Sequence, residues 1–251
     1  MRFEILGPLR VTDGGPVPVN GQRRRILLLA LLAHPGRVVS TAELVDWLWP
    51  RRPPRSALAT LQAHVSALRR TLEPERPPWR PPQRLLTHPP GYLLCVEPEE
   101  LDAQCLERLV GGAKPALDGG EPERAYRLVT EALALWRGAA LADAAHVDLA
   151  RTEITRLEEL RLTAWTVRVE ASFALGRHLE TIPELTRLVA KHPLHERLYV
   201  LLMLALSRCG RRADALAVYR KARAVLAREL HVAPGKALRC AEAAILSGEL
   251  D

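Results

Sequence analysis

Aromatic side chains make up only 4% of this 251-residue chain, and lysine occurs only at 114, 191, 221 and 236. With 48% apolar residues and so few rings, the core must be built from Leu, Ala and Val, the composition of helices packed on helices. Four cysteines, Cys95, Cys105, Cys209 and Cys240, stand apart without CxxC spacing or a His/Cys cluster, which argues against a disulfide framework or metal site; reduced, mostly buried thiols are expected. The longest apolar run, Ile26–Ala33, is too short to cross a membrane, and Gly7-Pro8 interrupts Phe3, Ile5 and Leu6 before they could form a signal sequence. A soluble, cytoplasmic protein is expected. Phosphate-cradling and catalytic signatures are also missing. Gly235-Lys236 lacks the upstream glycine, Gly111-Gly112 is not followed by Lys-Ser/Thr, and neither GxSxG nor HExxH occurs. His192 and His195 flank Pro193-Leu194 and read as surface residues of a turn. No enzyme, cofactor or metal is expected.

What is present is an uneven distribution of charge. Residues 1–97 carry 14 Arg against 7 Asp and Glu, whereas residues 98–251 carry 22 Lys and Arg against 22 Asp and Glu. The whole excess of +7 therefore sits in the first two-fifths of the chain. Cationic side chains gain free energy by displacing counterions from phosphates, so a basic head on a neutral body fits nucleic-acid binding. A basic surface kept for solubility accounts for the charge alone equally simply.

In the head, Phe3, Ile5, Leu9 and Val11, then Asp13-Gly14-Gly15, Val17 and Val19, predict short strands around a tight turn. A first helix spans Gln22–Ala33, opened by Asn20 or Gly21 and stopped by Pro35-Gly36; apolar residues cover most of it, so it is central and buried. A second helix starts at Ser40, with Glu43 completing a reciprocal capping box, Leu44, Val45 and Leu48 facing inward and Pro50 ending it. The third, about Ser56–Leu72, places Leu58, Leu61, Val65, Leu68 and Leu72 on one narrow stripe. Its other face shows Ala59, Thr60, Ala63, His64, Ala67, Arg69 and Arg70. Small residues allow close approach, hydroxyl and imidazole groups can address base edges, and arginines can grip phosphate, as a major-groove helix requires. A merely solvated helix face has the same pattern. A proline-rich loop follows, then a hairpin of Leu85–Thr87, the turn His88-Pro89-Pro90-Gly91, and Tyr92–Val96. Sheet, three helices and C-terminal hairpin together describe an OmpR-type winged helix.

Thr60-Leu61-Gln62-Ala63-His64-Val65-Ser66-Ala67-Leu68-Arg69-Arg70, the Pro89-Pro90-Gly91-Tyr92 wing and Phe3-Glu4-Ile5-Leu6-Gly7-Pro8-Leu9 resemble the Streptomyces antibiotic regulatory protein (SARP) family. The resemblance implies base contacts from Thr60, Ala63, His64 and Ala67, phosphate contacts from Arg23, Arg24, Arg69 and Arg70, and a wing carrying Thr87 and His88. Many relatives have arginine at the wing tip, so a neutral His88 departs from the pattern and would hold phosphate more weakly. The loop Trp49-Pro50-Arg51-Arg52-Pro53-Pro54-Arg55 reads as a stiff connector, and the resemblance places Arg51, Arg52 and Arg55 near RNA polymerase or promoter DNA.

Behind residue 97 the pattern is helical throughout. An offset of 34 residues aligns Ala164 with Leu198, Val167 with Leu201, Gly176 with Gly210 and Leu185 with Tyr219, the period of a tetratricopeptide helix pair. A third copy starts at Gly120 with Ala125, Tyr126 and Val129, and an inserted segment of about Gly138–Leu160 ends in a charged amphipathic helix. Such a body serves equally well as a partner or dimer surface and as a bundle that stiffens the head. Ala132-Leu133-Ala134-Leu135-Trp136-Arg137-Gly138 and Ala215-Leu216-Ala217-Val218-Tyr219 resemble the bacterial transcriptional activation domain of the same family. The expected fold is therefore mainly α with a small β component: a winged helix over 1–97 and a tetratricopeptide-like domain over 98–251. The resemblance implies an activator on promoter DNA, bound to tandem direct repeats beside a second copy of itself, with RNA polymerase holoenzyme (sigma region 4 and nearby subunits) as partner and no membrane. The rival reading is a tetratricopeptide-like adaptor whose basic head holds RNA or protein. Residues 1–97 alone are expected to keep sequence preference.

Overall fold

The computed structural model describes residues 1–248, which form two compact units: Met1–Gly112 with Leu128–Ala164, and Ala113–Arg127 with the chain from Trp165 onward. The chain is mainly helical with two small sheets.

In the first unit, β1 (Arg2–Glu4) and β2 (Arg10–Thr12) pair antiparallel with Phe3 opposite Val11, and both of these side chains are buried. Helix α1 (Gln22–Leu32) follows, with every residue from Ile26 to Leu32 buried, as its all-round apolar surface requires. A short strand, β3 (Val38–Ser40), was not anticipated; Pro35-Gly36 ends α1 and only Val39 of this strand is buried, too little alternation to signal it. Helix α2 (Thr41–Leu48) starts at Ser40, whose side chain accepts from Glu43 N–H at 3.1 Å. The reciprocal half of the expected capping box is replaced by a Glu43–His34 contact at 3.3 Å. Leu44, Trp47 and Leu48 are its buried residues, while Val45 is only half-buried.

Helix α3 (Ala57–Leu72) buries Ala57, Leu61, Val65, Leu68 and Leu72. Leu58, expected on that stripe, is instead 59% exposed, because Ala57 takes the inward position of the first turn. Strands β4 (Leu85–His88) and β5 (Gly91–Leu94) form the hairpin, and β3 joins it in the order β3-β5-β4. Gly91 is required there by close approach: a Cβ would lie 1.9 Å from the Val39 carbonyl oxygen. A cis peptide joins Pro89 to Pro90, and the Pro90 carbonyl accepts from both Thr41 N–H and Thr41 Oγ1.

Behind the hairpin, residues as far as Gly112 and again from Leu128 to Ala164 belong to this unit. Helix α4 (Asp102–Asp118) begins with Asp102, which is 2% exposed. Its carboxylate accepts from the amides of Ile5 (2.8 and 2.9 Å) and Leu6 (3.0 Å), which no strand partner satisfies. Burial pushes its pKa up to about 6 against the pull of those amides. Helix α5 (Pro122–Ala134) leads to an irregular stretch with a 3-10 turn at Ala142–Ala144, then α6 (Ala150–Ala174). The segment expected as an insertion thus ends in the first turns of a 25-residue helix. Along it, Arg156 and Arg161 pair with Glu153 and Glu158 one turn before them.

In the second unit, α7 (His178–Lys191), α9 (Arg212–Leu230) and α10 (Lys236–Ser247) pack around α8 (Glu196–Arg208), which is buried almost throughout. The turn glycines picked out by the 34-residue offset share one left-handed conformation: Gly176 has φ 73° and Gly210 φ 71°, and Gly120 of the third copy has φ 79°. The aligned Leu185 and Tyr219 are both buried. Of the cysteines, Cys105 is buried, Cys95 and Cys209 are half-buried and Cys240 is exposed, so the expectation of mostly buried thiols fails.

Candidate nucleic-acid interface

The face of α3 opposite its buried stripe presents Thr60, Ala63, His64, Ala67 and Arg70 at successive turns, with Ala63 and Arg70 exposed and the other three half-exposed. Spacings of three and four place them on one side of the helix, where a groove could receive them. The pKa of His64 is lowered by burial first, then by the charges of Arg24 and Arg23. A neutral imidazole results, which carries one donor and one acceptor. Its Nε2 is buried and has no hydrogen-bond partner. The same electrostatic coupling brings the start of α1 beside the middle of α3, which the sequence pattern did not reveal.

Arg23, Arg24 and Arg25 open α1, but they are held differently. Arg23 is exposed with its guanidinium 5.4 Å from the Trp49 ring centroid, and Arg24 folds back over Gly21. Arg25 is half-buried and held by the protein. It donates to Asp143 through Nε (2.7 Å) and Nη2 (2.9 Å) and to the Leu9 carbonyl (2.8 Å), while Asp143 also accepts from Leu9 N–H at 2.7 Å. Both free arginines thus stand at the positive end of the α1 dipole, in a first turn with no acidic residue.

The wing is tied to the same helix. Arg69 donates to the Leu85 carbonyl (2.9 Å) and to Thr87 Oγ1 (2.8 Å), and burial lowers its pKa. Two of its donor groups therefore serve the protein, whereas exposed Arg70 is at liberty to reach a phosphate. Thr87 and His88 are exposed at the hairpin end, His88 Nδ1 lying 3.2 Å from the Pro89 carbonyl. Arg51, Arg52 and Arg55 are exposed between α2 and α3 and form no ion pair among the described residues. The residues missed in the sequence are those that position the others: Arg25 with Asp143, Asp102 with Ile5 and Leu6, and Arg84, which pairs with Glu100 at the base of the hairpin. Only a contact 118 residues apart identifies Asp143, and no local pattern carries such a signal. Among the described residues no group of His, Cys, Asp or Glu could hold a metal, and no helix is long and apolar enough to cross a membrane.

A three-helix head with a winged hairpin, an exposed polar face on its third helix and arginines at the flanks defines the winged-helix class of DNA-binding transcription regulators. Residues 18–94 match the family described as transcriptional regulatory protein, C terminal, and residues 101–246 match the bacterial transcriptional activator domain. The chain belongs to the SARP family of transcriptional activators, and the relatives that it matches are transcription regulators. It is 39% identical to the regulatory protein DnrI of Streptomyces peucetius over 99% of this chain and 93% of that protein. It is 40% identical to the transcriptional regulator RedD of Streptomyces coelicolor, over 98% of this chain and 71% of RedD. Against the regulatory protein AfsR of Streptomyces griseus the identity is 40%, with 93% of this chain matched but only 23% of AfsR. The structure of Mycobacterium tuberculosis EmbR in complex with a low-affinity phosphopeptide superposes with a TM-score of 0.93 at 33% identity, over 98% of this chain and 65% of EmbR.

Proposed function

We propose that this activator binds promoter DNA sequence-specifically through α3. The carrying observation is the single face of Thr60, Ala63, His64 and Ala67, flanked by Arg23, Arg24 and Arg70 and by the Thr87–His88 wing end. In this reading the α3 face meets base edges in the major groove, the arginines hold phosphates on either side, and the wing reaches the neighbouring minor groove or its backbone. Arg69 acts chiefly as the strut that fixes the wing. One winged helix reads a short half-site, so two copies occupy tandem direct repeats near the −35 element. The exposed Arg51, Arg52 and Arg55 then face RNA polymerase, with sigma region 4 among the contacts. The target is a secondary-metabolite gene cluster, and the site of action is the cytoplasm. The functional division lies at 97/98, although packing follows a different line.

A mobility shift on candidate promoters with scrambled competitor tests the reading. Equal competition by scrambled DNA would refute it and favour an adaptor with a general polyanion site. For recruitment, Arg51→Ala with Arg52→Ala should lower in vitro transcription more than promoter occupancy; a fall in step with occupancy would remove the polymerase role.

A further inference from the structure

We infer that the exposed face of α9 is a second DNA-contacting surface, which holds duplex phosphates. The inference rests on the DNA-binding reading and extends it to a part of the chain whose summed charge conceals it. Residues 98–207 carry 13 Lys and Arg against 17 Asp and Glu, but residues 208–239 carry nine against two. That short segment is as positive as the entire head.

Helix α9 supplies Arg212, Arg220, Lys221, Arg223 and Arg228 to this charge, all of them exposed. Its buried stripe is Ala215, Tyr219, Ala222 and Leu226. At 100° per residue, Arg220 and Arg223 fall along one edge of the outward face and Lys221 and Arg228 along the other. The strip between them is Ala213, Ala217 and Ala224, with Ala227 between Arg220 and Arg223, and all four alanines are exposed. Arg228 pairs with Glu229, and Arg212 donates to the Leu246 carbonyl. Arg220, Lys221 and Arg223 make no ion pair or hydrogen bond among the described residues.

Helix α6 shows how the same chain treats arginines that have no such task. There Arg156 and Arg161 each have a glutamate three residues before them, which removes the field. On α9 no acid lies three or four residues from Arg220, Lys221 or Arg223, and Glu242 of α10 bonds Tyr219 rather than any of them, so the segment carries an outward excess of positive charge. The complement of such a field is a polyanion. Arg212 to Arg228 extends roughly 24 Å along the helix at 1.5 Å per residue, a length over which a duplex offers many phosphates. The alanine strip lets a backbone approach closely, but it offers no large side chain to anchor a protein partner. DNA is also the polyanion that this family of activators binds.

The test uses the full chain and a mixed-sequence duplex of about 60 base pairs, long enough to offer phosphates well beyond one half-site, with anisotropy titrations across a salt series. Each phosphate contact contributes about 0.9 to the slope of log K against log salt, so Arg220→Ala/Lys221→Ala/Arg223→Ala should flatten the slope by about 2–3. Lys221→Ala or Arg223→Ala alone should flatten it by about 0.9, which covers the case of a triple variant that fails to fold. Arg220→Lys with Arg223→Lys should keep the wild-type slope. A triple variant that melts like wild type and has an unchanged slope overturns the inference. If that variant also transcribes poorly at saturating promoter occupancy, the face serves an acidic protein instead. Arg70→Ala separates the two levels of the argument: a slope change there without one in the triple variant removes the α9 surface alone, whereas a wild-type chain that binds no duplex removes the DNA-binding reading with it.

Discussion

Replacing Asp143 probes how far the DNA-binding head depends on the chain behind it. Its carboxylate accepts two bonds from Arg25 and one from Leu9 N–H, in a site where both ionic side chains are about three-quarters covered (26% and 22% exposed). Asp143→Ala leaves Arg25 with a single partner, the Leu9 carbonyl, and leaves the Leu9 amide without an acceptor. Removing one partner of a charge-assisted pair costs about 1.5–3 kcal/mol, and residual water access argues for the lower half of that range. Asp143→Asn keeps an acceptor for Leu9 and should cost about 1–2 kcal/mol. Urea denaturation of wild type, Arg25→Ala, Asp143→Ala and the double variant gives the coupling directly. We expect at least about 1 kcal/mol, since the residues share a bidentate contact. A coupling below about 0.3 kcal/mol would refute the claim that Asp143 anchors α1. The charge dependence has a definite sign. Burial alone would raise the Asp143 pKa, but Arg25 and Leu9 N–H outweigh it and the pKa is lowered, so its stabilisation is present above the unfolded value and lost as acid protonates it.

Thr60→Ala or His64→Ala should weaken cognate DNA by about 1–3 kcal/mol and random DNA by less; equal losses in competitive mobility shifts would contradict base reading. Arg70→Ala should reduce the salt slope by about 0.9 with the fold intact, while Arg69→Ala should lower the melting temperature, because Leu85 and Thr87 lose their donor; calorimetry beside anisotropy separates them. Asp102 has a folded pKa of about 6 against an ordinary 3.8, so the folded state holds its proton more tightly and stability falls as pH rises between those values, by about 2–3 kcal/mol at roughly 1.4 kcal/mol per unit. Asp102→Asn should flatten that stretch of the stability–pH curve, measured by urea midpoints. A fragment of residues 1–97 lacks Asp102 and Asp143 and should lose cooperative unfolding, contrary to the expectation that it binds alone; a cooperative transition in the fragment would reverse this.

The helices were legible where burial follows a period. Leu61, Val65 and Leu68 announce α3 and its outward face, and the 34-residue offset found glycines that adopt one shared conformation. What escaped was set by tertiary contact. Leu58 fits the stripe by spacing, yet the first turn enters the core through Ala57. Strand β3 is three residues that become a strand only because Tyr92 and Leu93 lie alongside. Arg69 has the composition of a phosphate contact, and only the place of the hairpin shows that two of its donors are engaged by Leu85 and Thr87. Cysteine burial failed for a related reason: a small apolar side chain on an amphipathic helix can face either way, as Cys240 shows.

The bond from Arg69 to Thr87 has a consequence for which sites the protein can choose. Helix and wing are braced to each other, and Thr41 holds the turn at the same end of the hairpin through the Pro90 carbonyl. In the proposed mode of DNA binding, the head therefore acts as a calliper with a set span. A duplex whose grooves already match that span is accepted without deformation, and one that must be bent or compressed pays elastic energy at base pairs no side chain touches. Operators for this protein should then be constrained in composition between the helix and wing positions, and loosening the brace should widen the range of sequences bound before it lowers affinity for the best one.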